Sequence, residues 1–418
     1  MNDRMFLTGL FNAAINAADP LKALQRRLPA PPSGRTVVVG AGKGAAQLAR
    51  AFETLWPTPV SGVVVTRYGY GVECAHIRVM EAAHPVPDPA GLDASAALFD
   101  AVKGLGPNDL VVALVCGGGS ALLPAPPEGL TLEDEQALNR SLMASGAPIS
   151  VMNAIRKHVS TIKGGRLAAA SHPARVVTLV VSDVPGDDPA QVASGPTVPD
   201  SISRIRALRY LDNYRIDLPP TVLRHLQNPN ASAPDPTDPV FACNDVHVVA
   251  SAALSLDAAA ERAEAGGIPA VILSDAIEGE AREVARVHAA IARQIQRRNQ
   301  PFSKPLVLLS GGETTVTLHG NGRGGRNTEF LLSLALALDG VQGVTALAAD
   351  TDGIDGTQDN AGAFADGLTC ARLRELARDP AEYLANNDSY TAFDALGDLF
   401  VPGPTGTNVN DFRAILVQ

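Results

Sequence analysis

Three stretches of this chain share one grammar, an apolar strand without alternation that runs directly into glycines: VVVGAGKG (Val37–Gly44), LVVALVCGGGS (Leu110–Ser120) and LVLLSGGE (Leu306–Glu313). A strand that is apolar at every position has no face left for water. It must be covered on both sides, which is the condition of a parallel strand in an α/β sheet. The glycines that follow suit tight turns where backbone approaches backbone or ligand. Thr36–Val39 is the core of the first such strand, Leu110–Val115 of the second and Leu306–Ser310 of the third. Four more apolar runs, Val63–Thr66, Val176–Ser182, Ala270–Ser274 and Val344–Ala349, alternate with helical spacing such as Leu48, Phe52, Leu55 and Val284, Val287, Ile291. The order reads βαβα, after a helical lead-in from Met5 to about Leu28.

At 418 residues the chain exceeds one ordinary core. The best break is Asn228–Pro239, NPNASAPDPTDP, with four prolines and no aliphatic residue except alanine. It separates a Rossmann-like parallel-sheet domain, residues 1–235, from a smaller α/β domain, residues 240–418. An excess of 44 acidic over 34 basic residues gives a net charge of −10, which speaks against a nucleic-acid or anionic-membrane surface and leaves small molecules as partners. The least charged window, Leu110–Pro127, is broken by three glycines and three prolines and cannot form a membrane helix. Cys74, Cys116, Cys243 and Cys370 show no CxxC and no paired spacing, so neither zinc nor a disulfide framework is expected. With no apolar leader at the N-terminus, a cytoplasmic location is the expectation.

The first glycine turn satisfies the looser dinucleotide pattern G-x-G-x-x-A at Gly40, Gly42 and Ala45. The next strand ends in Thr66-Arg67, where an NAD site wants an acid, though NADP is tolerated. Lys43 is followed by Gly44 rather than Ser or Thr, so this is no Walker A loop. A lysine inside a glycine turn is either solvated or set beside a bound phosphate or carboxylate. In the second turn Gly117, Gly118 and Gly119 can converge their amides into an anion nest, with Ser120 adding a hydroxyl. Around Ser120 the hydrolase elbow G-x-S-x-G is absent, and Cys116 reads as a packing residue. Arg156, Lys157, Lys163 and Arg166 follow in NAIRKHVSTIKGGRL, as a solvated helix face or as a basic lining for an anionic substrate, with His158 read as structural.

Carboxylates complete the set. SDVPGDDPAQVASGPT places Asp183, Asp187 and Asp188 just past a buried strand, where open α/β sheets hold ligands and where Mg²⁺ could bind or a hydroxyl lose its proton. In the second half, Gly311, Gly312 and Glu313 suggest another glycine turn, and Arg323 and Arg326 flank Gly324-Gly325 ahead of Asn327 and a helix. Asp350, Asp352, Asp355 and Asp359 follow the next strand, but Ile354 and Ala361 occupy positions five and twelve, which excludes an EF-hand. Cations and backbone donors in several turns, with carboxylates in others, are what phosphoryl transfer requires.

Eight motifs in order, GAGKGA, EAAHPVPD, CGGGSALL, IRKHVSTIKGGRLA, SDVPGDD, SGGETTV, GRGGRNTEF and ADTDGIDG, span nearly the whole chain. In this the sequence resembles the class II glycerate kinases, glycerate 2-kinases with a Rossmann-like N-terminal domain and a C-terminal MOFRL domain, here about residues 300–410. The resemblance implies ATP- and Mg²⁺-dependent phosphorylation of D-glycerate to 2-phosphoglycerate, with catalytic roles for Lys43 and Arg326. On that basis substrates are expected in an interdomain cleft. Arg156, Lys163 and the Gly117–Ser120 nest would hold the carboxylate, and Lys43 and Arg326 would neutralise the transferring phosphoryl group. Gly42, Gly311, Gly312, Glu313 and Asn327 would help bind substrate and phosphate. Asp183 is the candidate to position or deprotonate the hydroxyl, and Asp187 and Asp352 are the candidate Mg²⁺ ligands. A homodimer is compatible with the resemblance. Because Gly40–Ala45 imitates a dinucleotide fingerprint, the alternative is an NAD(P)H-dependent hydroxypyruvate or tartronate-semialdehyde reductase.

Overall fold

The computed structural model describes residues 2–418. Contacts divide the chain into two units, one of Pro20–Val249 and one joining the residues up to Asp19 to Ala250–Gln418. In the first, β1 (Thr36–Ala41), β2 (Val60–Arg67), β3 (Ile77–Ala82), β4 (Leu110–Cys116), β5 (Arg175–Val181) and β6 (Asp245–Ala250) form a sheet ordered β3-β2-β1-β4-β5-β6. The pairs from β3 across to β5 are all parallel. Every residue of β1 and β4 is buried, as their unbroken apolar pattern predicts. One face carries Ala94, Leu98 and Val102 of the helix Pro89–Val102, whose N-cap Asp88 accepts from the Gly91 amide. The helix Ala45–Leu55 follows β1 and packs on β2 and β4. In this strand order the chain leaves β1 in opposite directions, to β2 on one side and to β4 on the other. The space beyond the carboxyl ends of β1 and β4 is therefore a topological switch point.

The other unit holds a mixed sheet, β11-β10-β9-β12-β8-β7, made of β7 (Ala270–Glu280), β8 (Leu306–Thr315), β9 (Val344–Asp350), β10 (Gly362–Asp366), β11 (Leu399–Phe400) and β12 (Asp411–Val417). β7 and β8 run parallel, whereas β12 lies antiparallel between β8 and β9. The chain is thus a two-domain α/β protein with a parallel sheet and a mixed one. The lead-in helix, Asp3–Ala17, belongs to this second unit rather than to the first, contrary to the division at 235/240. Its Leu7, Leu10, Phe11 and Ala14 are buried against Leu256, Ala259, Ala263 and strand residues, and Phe11 meets Phe400 and Phe412 edge-on at 5.0 and 5.8 Å. Its polar side is tied down as well, since Arg4 donates to Asp398 and Thr345 donates to Asp3.

His288, on the helix Ala281–Arg298, is 3% exposed, with Nδ1 2.8 Å from the Val284 carbonyl and Nε2 3.0 Å from the Ser310 hydroxyl. Burial, reinforced by the Arg413 charge, pushes this imidazole down to about 4. The unfolded chain, with an ordinary histidine near 6.5, then binds the proton more readily than the native one. The stability contributed by neutral His288 is complete above that pH and is lost as pH falls toward 4. Denaturant melts at pH 7 and pH 4 are expected to show the wild-type advantage over His288→Asn shrinking by on the order of 3 kcal/mol. A pH-independent difference would show that the site accepts the charge.

Candidate active site

The two glycine turns after β1 and β4 lie side by side. The Lys43 amide donates to the Gly117 carbonyl (2.8 Å), the Gly44 amide to Cys116 Sγ (3.2 Å), and the Gly42 amide to the Val65 carbonyl of β2 (3.1 Å). The Ala45 amide turns back to the Gly42 carbonyl (3.1 Å), and Thr66 Oγ1 donates to the Lys43 carbonyl (3.0 Å). These amides hold the turn to its neighbours, so the β1 turn offers an anion its lysine side chain rather than a backbone cradle. Gly42 is corrected accordingly. A Cβ there would stand 2.4 Å from both the oxygen and the sulfur of Cys116, so its smallness serves the contact between turns. Cys116 is buried and its thiol is pushed up to about 12 by that burial, which keeps it a packing group.

The β4 turn is the centre of the site. Gly118 is left-handed (φ 81°, ψ −8°) and Gly119 opens a one-turn helix, Gly119–Leu122. Left-handed followed by right-handed backbone is the geometry that gathers successive amides into a nest. Two side chains meet at Gly118: a Cβ placed there would lie 3.0 Å from Lys43 Cγ and 3.1 Å from His84 Nε2. The Asp183 carboxylate lies against Gly117, where a Cβ would stand only 1.9 Å from its Oδ2. Ser120 and Ser194 share a hydrogen bond of 2.6 Å, and Ser194 also donates to Asn153 Oδ1 (3.0 Å). Arg156 donates to the same Asn153 oxygen (3.0 Å) and to Asn139 Oδ1 (2.8 Å). Burial pulls the Arg156 guanidinium down to about 10, still charged at neutral pH. Ser194 reaches this network because Ala193 (φ 53°) and Ser194 (φ 58°) are both left-handed, a strain of about 1–2 kcal/mol per non-glycine residue.

The structure thus brings Lys43, Gly117–Ser120, Arg156 and Asp183 together at the switch point and adds His84, which sequence reasoning left without a role. Its only signal was a histidine between the end of a strand and two prolines in EAAHPVPD. Lys163 is a correction. It is 1% exposed, and its ammonium is spent on Glu135 Oε1 (2.7 Å) and the Leu123 carbonyl (2.8 Å). Lys157 is likewise paired with Asp200, and Arg166 donates to the carbonyls of Lys157, Lys163 and Ser232. Of the carboxylates after β5, Asp188 caps its own turn through Ala190 and Gln191, while Asp187 stands half-exposed with φ 53°.

In the other unit the stretch Ser310-Gly311-Gly312-Glu313 is strand, not turn. β8 continues through it, paired with β12 and β7. A Cβ on Gly312 (φ 120°) would strike the backbone of Ile277 at 2.2 Å, so Gly311 and Gly312 serve sheet packing and are withdrawn as phosphate ligands. Arg326 opens the helix Arg326–Ala337 with its guanidinium among three carboxylates: Nε to Asp411 (2.6 Å), NH2 to Asp350 (2.6 Å) and NH1 to Glu313 (3.1 Å). Burial opposes its charge, but Asp411 and Asp350 outweigh burial and hold it above its ordinary value. With five N–H donors, the group keeps capacity beyond these three bonds. Burial pushes Asp350 up despite that neighbour. Asp411 also holds the fully buried Arg413.

The helix entrance itself is closed to an anion. Asp355, fully buried, accepts from the amides of Asn327 and Thr328, both at 2.9 Å. Asn327 is buried too and donates to Asp411 (2.9 Å), so it is framework and not a phosphate contact. Asp352 takes the Ile354 amide (2.9 Å), closing its own turn. Among the described residues no three His, Cys, Asp or Glu side chains gather as a metal cluster, and no helix is long and apolar enough to cross a membrane.

Comparison with known proteins follows the same two units. A family model described as the MOFRL family matches residues 306–411, and a domain of unknown function, DUF4147, matches residues 6–227. An Agrobacterium vitis protein with the provisional name hydroxypyruvate reductase is 51% identical, over 99% of this chain and 94% of its own. The D-glycerate 2-kinase of Thermotoga maritima is 40% identical, over 95% of this chain and 94% of its own. The crystal structure of a glycerate kinase from Thermotoga maritima superposes with a TM-score of 0.89 at 39% identity, covering 98% of each chain.

Proposed function

The chain belongs to the MOFRL-domain family of glycerate kinases, and from that premise we propose that it transfers the γ-phosphoryl group of ATP to the 2-hydroxyl of D-glycerate, giving 2-phosphoglycerate and ADP. The observation that carries the reading is the meeting of Lys43 and Asp183 on the Gly117–Gly118 turn at the switch point of the parallel sheet. Asp183 orients the acceptor hydroxyl and takes up its proton as the new O–P bond forms and the bond to ADP breaks. Lys43 offsets charge on the transferring group, where positioning and neutralisation make up most of the catalysis. Arg326, charged and held among Asp411, Asp350 and Glu313, keeps the catalytic role that the resemblance implies for it. The Ser120–Ser194–Asn153–Arg156 network sets a cation and hydroxyls for the substrate carboxylate. Mg²⁺ needs only one or two protein carboxylates beside the nucleotide's own oxygens, and the half-exposed Asp187 suits it better than Asp352, which closes its own turn.

The reductase name borne by the Agrobacterium relative deserves a direct test, since two observations weigh against that chemistry here. β2 ends in Arg67 rather than an acid, which disfavours NAD though not NADP, and the β1-turn amides that would face the pyrophosphate of either dinucleotide are already bonded. The purified protein is expected to release ADP only with D-glycerate and Mg²⁺ present, to yield a product whose phosphorus couples to the C2 proton, and to leave NADH and NADPH unoxidised with hydroxypyruvate. Nicotinamide turnover without ADP release would overturn the kinase reading.

A further inference from the structure

We propose that His84 is a substrate-contacting residue of this site and hydrogen-bonds the hydroxyl that is not phosphorylated, so that the enzyme selects a 2,3-dihydroxy acid over one with a single hydroxyl. The inference rests on the phosphoryl-transfer reading above and adds the group that reads the rest of the acceptor. His84 follows β3, two strands from β1, yet its Nε2 and Cδ2 lie 3.1 and 3.2 Å from the point above Gly118 that Lys43 Cγ also approaches at 3.0 Å. Gly118 is thus a bare floor beneath two side chains. Its neighbour Gly117 lies beneath Asp183. One turn therefore gathers a carboxylate, an imidazole and the stem of a lysine over two consecutive residues.

The two buried histidines have their ring nitrogens occupied, whereas His84 is half-buried. His158 faces the Ile202 carbonyl and the Ala233 amide, and His288 the Val284 carbonyl and the Ser310 hydroxyl. His84 differs, because what acts on its ring is burial and the charges of Lys43 and Arg67, with no hydrogen bond among the influences. Those influences push it down to about 4, so at neutral pH it is an uncharged imidazole carrying one donor and one acceptor. That chemistry divides the substrate. A carboxylate or phosphoryl group is drawn to the cations, the acceptor hydroxyl to Asp183, and the remaining hydroxyl of a dihydroxy acid finds a neutral partner in His84. A site built to bond a hydroxyl penalises an analogue without it, because its own polar group is left unpaired.

D-Lactate, which has a methyl group in place of the second hydroxyl of D-glycerate, tests this directly. Full-length wild type, His84→Ala and His84→Gln are compared by kcat/KM for both acids at saturating ATP, with a melting curve for each. His84→Ala is expected to lose on the order of 10²-fold in kcat/KM for glycerate and little for lactate, with the KM for ATP within about twofold of wild type. His84→Gln, which keeps a donor and an acceptor, is expected to recover part of the loss. If neither acid yields ADP with wild type, the kinase reading has failed, not this one. If wild type phosphorylates glycerate but does not disfavour lactate, the inference is overturned without any variant. It is equally overturned if a folded His84 variant keeps the wild-type preference, or if it loses both acids in proportion.

Discussion

Lys43→Met lowers kcat by on the order of 10²-fold or more while leaving the protein folded. Folding survives because the backbone, not the ammonium, anchors this turn: the Lys43 amide is bonded to Gly117 and its carbonyl to Thr66. Methionine keeps the half-buried stem over Gly118 and deletes only the charge. That charge matters most where negative charge is redistributed over the transferring phosphoryl group, so the loss falls on kcat more than on the KM for ATP. The same variant has a spectroscopic signature. Lys43 is one of the two cations that disfavour protonation of His84, so removing it moves the imidazole up from about 4, which a proton NMR titration reads. A variant with near-normal kcat would return Lys43 to an ordinary loop lysine.

Lys163→Met acts on the opposite quantity. It destabilises the protein by about 3–5 kcal/mol, because removing one member of a buried ion pair strands the other. The Lys163 and Glu135 side chains are 1% and 5% exposed. Glu135 also accepts the Ala125 amide (3.1 Å), so it stays in place with its charge uncompensated. Adding Glu135→Gln, which removes that charge, is expected to restore much of the stability, and urea unfolding of the four-member cycle measures it. The folded fraction of Lys163→Met should keep the wild-type KM for the hydroxy acid. Unchanged stability with a raised KM would put the ammonium back in the substrate site.

Comparison of Lys163 with Arg156 shows why this stretch was half legible. Both belong to one run of basic residues that sequence alone can read as a solvated face or as a lining. The structure makes Arg156 part of the Ser120 network through Asn153 on its own helix, and Lys163 part of the core through Leu123 and Glu135, 40 and 28 residues away in the chain. The seven apolar runs all became strands, but coverage on both faces failed for Ala270–Ser274, which lies in the edge strand β7 with no residue buried, and parallel pairing failed for Val344–Ala349, since β9 is antiparallel to both neighbours. β12 has no apolar run at its start, since it begins Asp-Phe-Arg, and those charges sit inside a sheet because Arg326 donates to Asp411 while Arg413 donates to Asp411 and to Thr314. Glycines after a strand did mark turns at Gly42 and Gly117, yet at Gly311-Gly312 they mark an intimate strand pairing. The residue that decides between these outcomes, Ile277, lies in another strand.

The helix Asp3–Ala17 has a consequence for the order in which the protein can be completed. It leaves the ribosome before Pro20–Val249, but the residues that bury Leu7, Leu10 and Phe11 run from Leu256 to Leu416 and leave after it. Throughout synthesis of Pro20–Val249, whose sheet needs nothing from outside that span, the nascent chain carries an amphipathic helix with its apolar stripe uncovered. Its docking against Phe400 and Phe412 therefore closes a loop that runs from Phe11 through both sheets, one of the longest closures this topology requires. A nascent chain halted before β12 is a sticky one, with the helix as its exposed handle for chaperones or for neighbouring copies.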